Sequence, residues 1–297
     1  MKHIGIIGAS GLMGHGIARN LRARGFELSL TVHRNSGRVA DLLAAGAKQV
    51  ASPAGLGACD ALIICVTGSP EVEDVLTGPQ GVLSQARAGL IVIDTSTSEP
   101  ASTRRLAALC AERGVTLVDA PLARTPTEAE LGKLNTMVGA EPAVFDKVRP
   151  VLAAYCENIF HVGGPGAGHV IKLLNNFVGQ AICTATAEAF AVGALAGIAP
   201  ARLVEVISAG AVNSGLFQAM AKTLDGNFEG IRFELDNARK DLRYYTHLAE
   251  EVKVPAIVGE AVHQSLVMAS ALGQGASYVP ALVTAQEILT GAKIAPQ

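Results

Sequence analysis

The sequence predicts an α/β protein, a doubly wound parallel sheet covered by helices on both faces, followed by an all-α domain entered along one long interdomain helix. Three observations carry that prediction. Short apolar strands alternate with amphipathic helices through the first half; a glycine-rich turn follows the first strand; and strand-like runs stop after Gly163-Gly164-Pro165-Gly166-Ala167-Gly168. Continuous apolar strands separated by helices belong to parallel sheets buried on both faces.

The strand candidates are His3–Ile7, Glu27–His33, Ala61–Val66, Leu90–Asp94 and Val115–Asp119, with helices expected at Met13–Arg24, Arg38–Ala45 and Ala101–Arg113. Two further strands, Leu134–Val138 and Asn158–Val162, bracket a helix expected to start near Pro142. Beyond the glycine run the periodicity is helical throughout. Its first helix, about His169 to Ala196, is 28 residues long and would reach about 42 Å at roughly 1.5 Å per residue. Two domains follow, 1–164 and 165–297.

Composition narrows the function. Of the 297 residues, 49% are hydrophobic and 17% charged, as in a globular protein with a large core, and the net charge of −2 leaves no broad basic face for nucleic acid or acidic membrane. A small-molecule ligand fits better. The five cysteines form no CxxC pair, and the seven histidines, His161 and His169 included, lack metal-ligand spacing, so neither a disulfide framework nor a metal is expected. The uncharged stretch Ala261–Gln286 contains His263, Gly273-Gln274-Gly275 and Pro280 and reads as two buried helices rather than a membrane span. In the long helix Lys172, Asn175, Asn176 and Glu188 argue against a lipid-facing segment. With no signal peptide evident after Met-Lys-His, a cytoplasmic protein is expected.

The glycine-rich turn is Gly8-Ala9-Ser10-Gly11-Leu12-Met13-Gly14, between a strand and a helix. Such a Rossmann-type turn brings backbone N–H groups and a helix N-terminus up to a pyrophosphate, which places Gly8, Ser10, Gly11, Leu12 and Met13 at a dinucleotide. NAD sites usually offer a carboxylate at the end of the second strand, about 20 residues on. Here the chain writes His33-Arg34-Asn35-Ser36. Arg34 with donors from Asn35 and Ser36 suits a 2′-phosphate, so NADP(H) is expected over NAD. Farther along, Lys172 and Asn176 stand four apart and share one helical face, a lysine and an amide able to hold and protonate a carbonyl oxygen.

Five ordered blocks resemble the β-hydroxyacid dehydrogenase family, which includes 3-hydroxyisobutyrate dehydrogenase and the tartronate, glyoxylate and succinic semialdehyde reductases. They are Gly11-Leu12-Met13-Gly14 with Ala18-Arg19-Asn20-Leu21; Asp94-Thr95-Ser96-Thr97; Asp119-Ala120-Pro121; Gly166-Ala167-Gly168 with Lys172 and Asn176; and Phe233 with Lys240-Asp241. The resemblance implies an NADP(H)-dependent oxidoreductase interconverting a small aldehyde or keto acid and its hydroxy acid. Lys172 would be its catalytic acid and base, Asn176 the lysine's partner, and Val66, Thr67, Thr97, Phe233 and Lys240 cofactor contacts. Lys240 would also reach the substrate. Homodimers or homotetramers are the family's usual assemblies.

Two departures stand out. An extra residue separates Gly8 from Gly11, where the family usually writes G-x-G. After Asp119-Ala120-Pro121 many members continue Ser-Gly-Gly, whereas this chain has Leu122-Ala123-Arg124-Thr125. That turn looks more like the sulfolactaldehyde reductase branch and implies that Arg124 meets a small anionic aldehyde or hydroxy acid, with Leu122, Ala123 and Thr125 lining the turn. Three rivals remain. An imine reductase would usually replace the lysine, a 6-phosphogluconate dehydrogenase would need a much larger helical domain, and a non-catalytic NADP-binding protein would have no need of Lys172 and Asn176 together.

Overall fold

The computed structural model describes residues 1–32 and 36–296. Within them the chain forms two compact units, Met1–Lys172 and Leu173–Gln297. The division between these units falls inside the long helix, after Lys172.

Unit 1 is the expected sheet. Strands β1 (His3–Ile7), β2 (Glu27–Thr31), β3 (Lys48–Gln49), β4 (Ala61–Ile64), β5 (Ile91–Asp94) and β6 (Thr116–Asp119) run parallel in the order β3-β2-β1-β4-β5-β6. Beyond β6 the direction reverses. Strand β8 (Leu134–Gly139) pairs antiparallel with β6 and with the two-residue β7 (Leu122–Ala123), and β9 (Cys156–Gly163) lies parallel to β8. The order steps outward from β1 in both directions, toward β2 on one side and β4 on the other. Its C-terminal edge there is a topological switch point, where ligands gather in open α/β sheets.

The strands read as apolar runs because both faces are covered. On one face Ile4, Ile6, Leu28, Leu30, Ile63 and Ile93 pack with Ile17 and Leu21 of α1 (Leu12–Ala23), Leu42 of α2 (Ala40–Ala44) and Val148 of α6 (Pro142–Leu152). On the other, Leu62, Ile64 and Val92 meet Val72 and Leu76 of α3 (Ser69–Thr77) and Leu106 of α4 (Pro100–Ala111). Full burial of each large side chain contributes about 1.5–3 kcal/mol, so two dry faces hold the strand ends in place.

Some boundaries differ from expectation. The expected helix Arg38–Ala45 is a 3-10 turn, Ser36–Val39, followed by α2. A short helix not foreseen, α5 (Pro126–Glu130), follows β7. The long helix α7 (Ala167–Leu195) starts two residues before the expected His169. It alone, among the described residues, is long and apolar enough to cross a membrane. Yet it buries the polar Asn176, Gln180, Thr184 and Thr186.

Unit 2 is helical, with α8 (Pro200–Ser208), α9 (Gly215–Ala221), α10 (Leu235–Glu251), α11 (Ile257–Ala269) and α12 (Leu282–Thr290). Its core gathers Phe190, Phe217, Met220, Leu242, Leu266 and Val283. The stretch Ala261–Gln286 does hold two helices, buried through Val262, Leu266 and Ala269 of α11 and Leu282, Val283 and Ala285 of α12. A π turn at Ser270–Gln274 and a 3-10 turn at Val279–Ala281 separate the two, and before the stretch begins the first turn of α11 leaves Ile257 79% and Val258 58% exposed. All five cysteines are unpaired, and all but Cys65 are buried.

Candidate active site

The glycine turn after β1 is shaped by contact. Gly8 has φ +93°, and a Cβ there would stand 2.0 Å from the Cys65 carbonyl oxygen. Gly14 is equally confined, its Cβ position 2.1 Å from the Gly8 oxygen. Gly11 N–H donates to that oxygen at 2.9 Å, closing a turn that takes up the extra residue between Gly8 and Gly11. Gly11 then starts α1 without a side-chain cap, and the first helical turn carries no acid. The positive end of α1 is thus left to an anion. Ser10 is half-buried, Leu12 exposed and Met13 half-buried.

Beside this loop lies a cleft of about 370 Å³ lined by Gly11, Leu12, His15, Arg38, Pro126, Thr127 and Glu130. Arg38 Nη1 approaches the Ser10 carbonyl at 3.4 Å. His15 donates from Nδ1 to Glu130 at 2.8 Å and from Nε2 to Asp41 at 3.1 Å. Burial alone would lower its pKa, but those two carboxylates more than offset this and hold it above the ordinary value. The cleft therefore carries Arg38 and a carboxylate-paired His15, neither of which the sequence analysis placed at a site. The glycine cradle, the uncapped helix and this cleft fit a dinucleotide's phosphates. The expected contacts His33, Arg34 and Asn35 lie outside the described residues, and Ser36 is exposed at the start of its 3-10 turn.

The remaining unit 1 residues sit at the same sheet edge. Val66, half-buried, and Thr67, exposed, follow β4, with Val66 N–H donating to Ser96 Oγ at 3.0 Å; Thr97 follows β5. Lys172, half-buried, stands in the second turn of α7, whose start is tied to β6. Asp119 accepts from Gly166 N–H at 2.7 Å and from His169 N–H at 2.9 Å.

The turn after β7 differs from an open anion pocket. Leu122 is buried and Ala123 half-buried, both paired with β8. Arg124 takes φ +79°, a conformation that suits the glycine of a Ser-Gly-Gly turn, and its Nη1 donates to the Lys133 carbonyl at 2.6 Å and to Glu157 at 2.5 Å. Thr125 is the N-cap of α5, in a reciprocal capping box with Glu128. An anionic substrate must therefore compete with Glu157 for Arg124.

In unit 2, Asn176 and Lys240 converge on one buried carboxylate. Asn176 Nδ2 donates to Asp241 Oδ2 at 2.6 Å, and Lys240 Nζ lies 3.1 Å from Asp241 Oδ1, close enough for an ion pair but not aligned as a hydrogen bond. A carboxylate only accepts, so Asp241 fixes which end of the Asn176 amide faces it. Phe233 is half-buried just before α10. Sequence reasoning named Asp241 only as the neighbour of Lys240 and assigned nothing to Asp119.

Residues 3–163 match the model of the NAD binding domain of 6-phosphogluconate dehydrogenase. Residues 166–285 match that of the NAD-binding domain of NADP-dependent 3-hydroxyisobutyrate dehydrogenase. The chain is 33% identical to 2-(hydroxymethyl)glutarate dehydrogenase of Eubacterium barkeri, over 98% of this chain and 97% of the relative. The chain belongs to the β-hydroxyacid dehydrogenase family. Within it, the 3-sulfolactaldehyde reductase of Escherichia coli is 32% identical over 93% of this chain and 92% of its own length. Among solved structures, 3-hydroxyisobutyrate dehydrogenase from Salmonella typhimurium superposes with TM-score 0.83 at 30% identity, covering 96% of this chain and 99% of that one. The family relationship makes this chain an NAD(P)-binding oxidoreductase of the hydroxyacid dehydrogenase and semialdehyde reductase type.

Proposed function

We propose that this family member is an NADPH-dependent reductase of a short anionic aldehyde or keto acid, with Lys172 as the proton donor. The observation that carries the reading is the anchoring of Lys172's helix to the end of β6, in the unit that holds the glycine cradle. Bound NADPH supplies the hydride that the carbonyl carbon takes up. Lys172, as an ammonium, donates a hydrogen bond to the carbonyl oxygen, stabilises the negative charge that grows there, and releases its proton to it. In the reverse direction the neutral amine takes the hydroxyl proton. Asn176, its amide oriented by Asp241, holds the lysine or the substrate oxygen in register one helical turn on. The experiment that tests the reading is NADPH oxidation followed across glyoxylate, succinic semialdehyde, tartronate semialdehyde and sulfolactaldehyde, with cyclic imines as the competing class. Turnover confined to imines would overturn it.

The choice of NADPH rests on the missing carboxylate after β2, on Arg34 in the sequence, and on Arg38 lining the cleft. NADPH should exceed NADH in kcat/KM, and Arg34→Ala should erode the preference through NADPH. A charge-assisted phosphate contact of about 1.5–3 kcal/mol corresponds to roughly ten- to a hundredfold. Equal kcat/KM with both cofactors in the native enzyme would remove the assignment.

The anion assignment rests on the β7–α5 turn. Holding a non-glycine residue at φ +79° costs on the order of 1–2 kcal/mol, and such strain gathers at ligand sites. The Glu157 partner does not preclude the role. Arg124 and Glu157 are 31% and 46% exposed, and a pair so open to solvent is worth only about 0–1 kcal/mol, so a substrate anion can displace it. Arg124→Gly tests this without backbone strain. It should raise KM for the acid roughly ten- to a hundredfold and leave KM for a neutral aldehyde of similar size unchanged. Equal losses on both would assign Arg124 to Glu157 and the fold instead.

A further inference from the structure

We infer that Asp119 and His169 are positioning residues that fix where Lys172 stands relative to the Thr95–Thr97 loop; the inference rests on the reading of Lys172 as proton donor. Asp119 ends β6, is fully buried, and caps a helix that is not its own. Its two oxygens take the N–H groups of Gly166 and His169, among those a helix N-terminus leaves without an internal partner. Burial pushes the Asp119 carboxyl above its ordinary pKa, and the nearby His169 and the two N–H groups pull it partly back.

Around this contact there is no slack. A Cβ on Gly168 would stand 2.3 Å from the Met137 carbonyl oxygen and 2.8 Å from Asp119 Oδ2, and one on Gly139 would stand 2.4 Å from Asp119 Oδ1. The start of α7 thus lies directly against the ends of β6 and β8, with no room for a side chain between them.

The His169 ring extends the lock to a second strand end. It is fully buried, with Nε2 donating to the Ser96 carbonyl at 3.2 Å and Nδ1 2.7 Å from Thr103 Oγ1 on α4. Ser96 is held in turn, because Asp94 accepts its N–H at 2.9 Å and Ser98 Oγ–H at 3.2 Å. The ring nitrogens lie 3.8 Å from Asp94 and 4.0 Å from Asp119. One histidine thus joins the helix that carries Lys172 to the residue beside Thr97. Lys172 follows His169 by three positions, on the same side of α7. A buried polar network repays its desolvation only with near-ideal geometry, so stability alone is weak reason for one here. What the network supplies is a fixed distance between the start of α7 and the Thr95–Thr97 loop, and a displacement of about 1 Å at a reacting centre costs on the order of a hundredfold.

The test compares His169→Leu, His169→Gln and Thr103→Val, each alone, with Lys172→Ala and the double variant His169→Leu/Lys172→Ala. The readouts are kcat, KM, NADPH Kd by fluorescence and Tm. His169→Leu should lower kcat about ten- to a hundredfold while leaving the NADPH Kd within about twofold, and His169→Gln, whose amide can donate to Ser96, should recover most of the loss. Thr103→Val removes a single hydroxyl, so it carries the same direction of change even if His169→Leu fails to fold. In the Lys172→Ala background His169→Leu should add less than about twofold, because the lost group was acting through the lysine. Losses that multiply in the double variant, or folded His169→Leu and Thr103→Val variants within about threefold of native kcat, would overturn the inference. If Lys172→Ala alone keeps native kcat, the lysine reading itself has failed, which separates the two failures.

Discussion

Lys172→Ala is expected to lower kcat by at least about a hundredfold on the best substrate while leaving NADPH binding nearly intact. The size follows from two roles lost together. In the proposed mechanism the ammonium stabilises charge that exists only as the oxyanion forms, and it supplies the proton that quenches it. Neither would contribute to holding the cofactor, whose proposed cradle is the Gly8–Gly14 turn. The expected signature is therefore a fall in kcat with an unchanged fluorescence titration of NADPH. A variant that keeps more than about a tenth of native kcat would remove Lys172 from the chemistry.

Gly8→Ala should act on the other half of the reaction. The residue sits at φ +93°, where an L side chain costs about 1–2 kcal/mol, and the new methyl would fall 2.0 Å from a backbone carbonyl oxygen at Cys65. Backbone cannot swing aside as a flexible side chain does. The ends of β1 and β4 must part, and the glycine turn proposed to face the phosphates moves with them. KM for NADPH should rise at least about tenfold, with Tm falling by several degrees. Gly25→Ala is the control: φ is +86°, nothing lies within 4 Å, and the cost is the dihedral alone. It should lower Tm and leave KM for NADPH unchanged. Identical kinetics for both variants would mean the turn is not the cofactor cradle.

How much of this was legible before the fold was known depends on how local each signal is. Strands such as Ile4–Ile7 and Ala61–Ile64 are readable because burial on both faces writes a continuous apolar run. The two-residue β3 and β7 are too short to carry any period, and their pairing is decided by neighbouring strands. Helix α5 did announce itself, through the Thr125-Pro126-Thr127-Glu128 capping signal, but five residues hold too little pattern to confirm it. That Lys172 and Asn176 share a face is legible because a helix converts a spacing of four into one. Asp241, 65 positions from Asn176, is not; its contact exists only after α7 and α10 have packed. His169 is the sharpest case. In sequence it is a histidine beside a glycine run, and only its complete burial between two strand ends gives it work to do.

The cysteines carry a practical consequence. Desolvation raises the thiols of Cys59, Cys65 and Cys110 to about 11, that of Cys183 to about 12, and that of Cys156 higher still. Only about one in ten thousand of a thiol at 11 is ionised at pH 7, and the thiolate is the reactive form. The folded enzyme should therefore ignore iodoacetamide, while an unfolded chain exposes five ordinary thiols. Alkylation then becomes a clock for chain opening. The labelling order reports which part loosens first, with Cys183 standing for the helical unit and the other four for the sheet, and label on every site of the native protein within minutes would show that the thiols are not shielded.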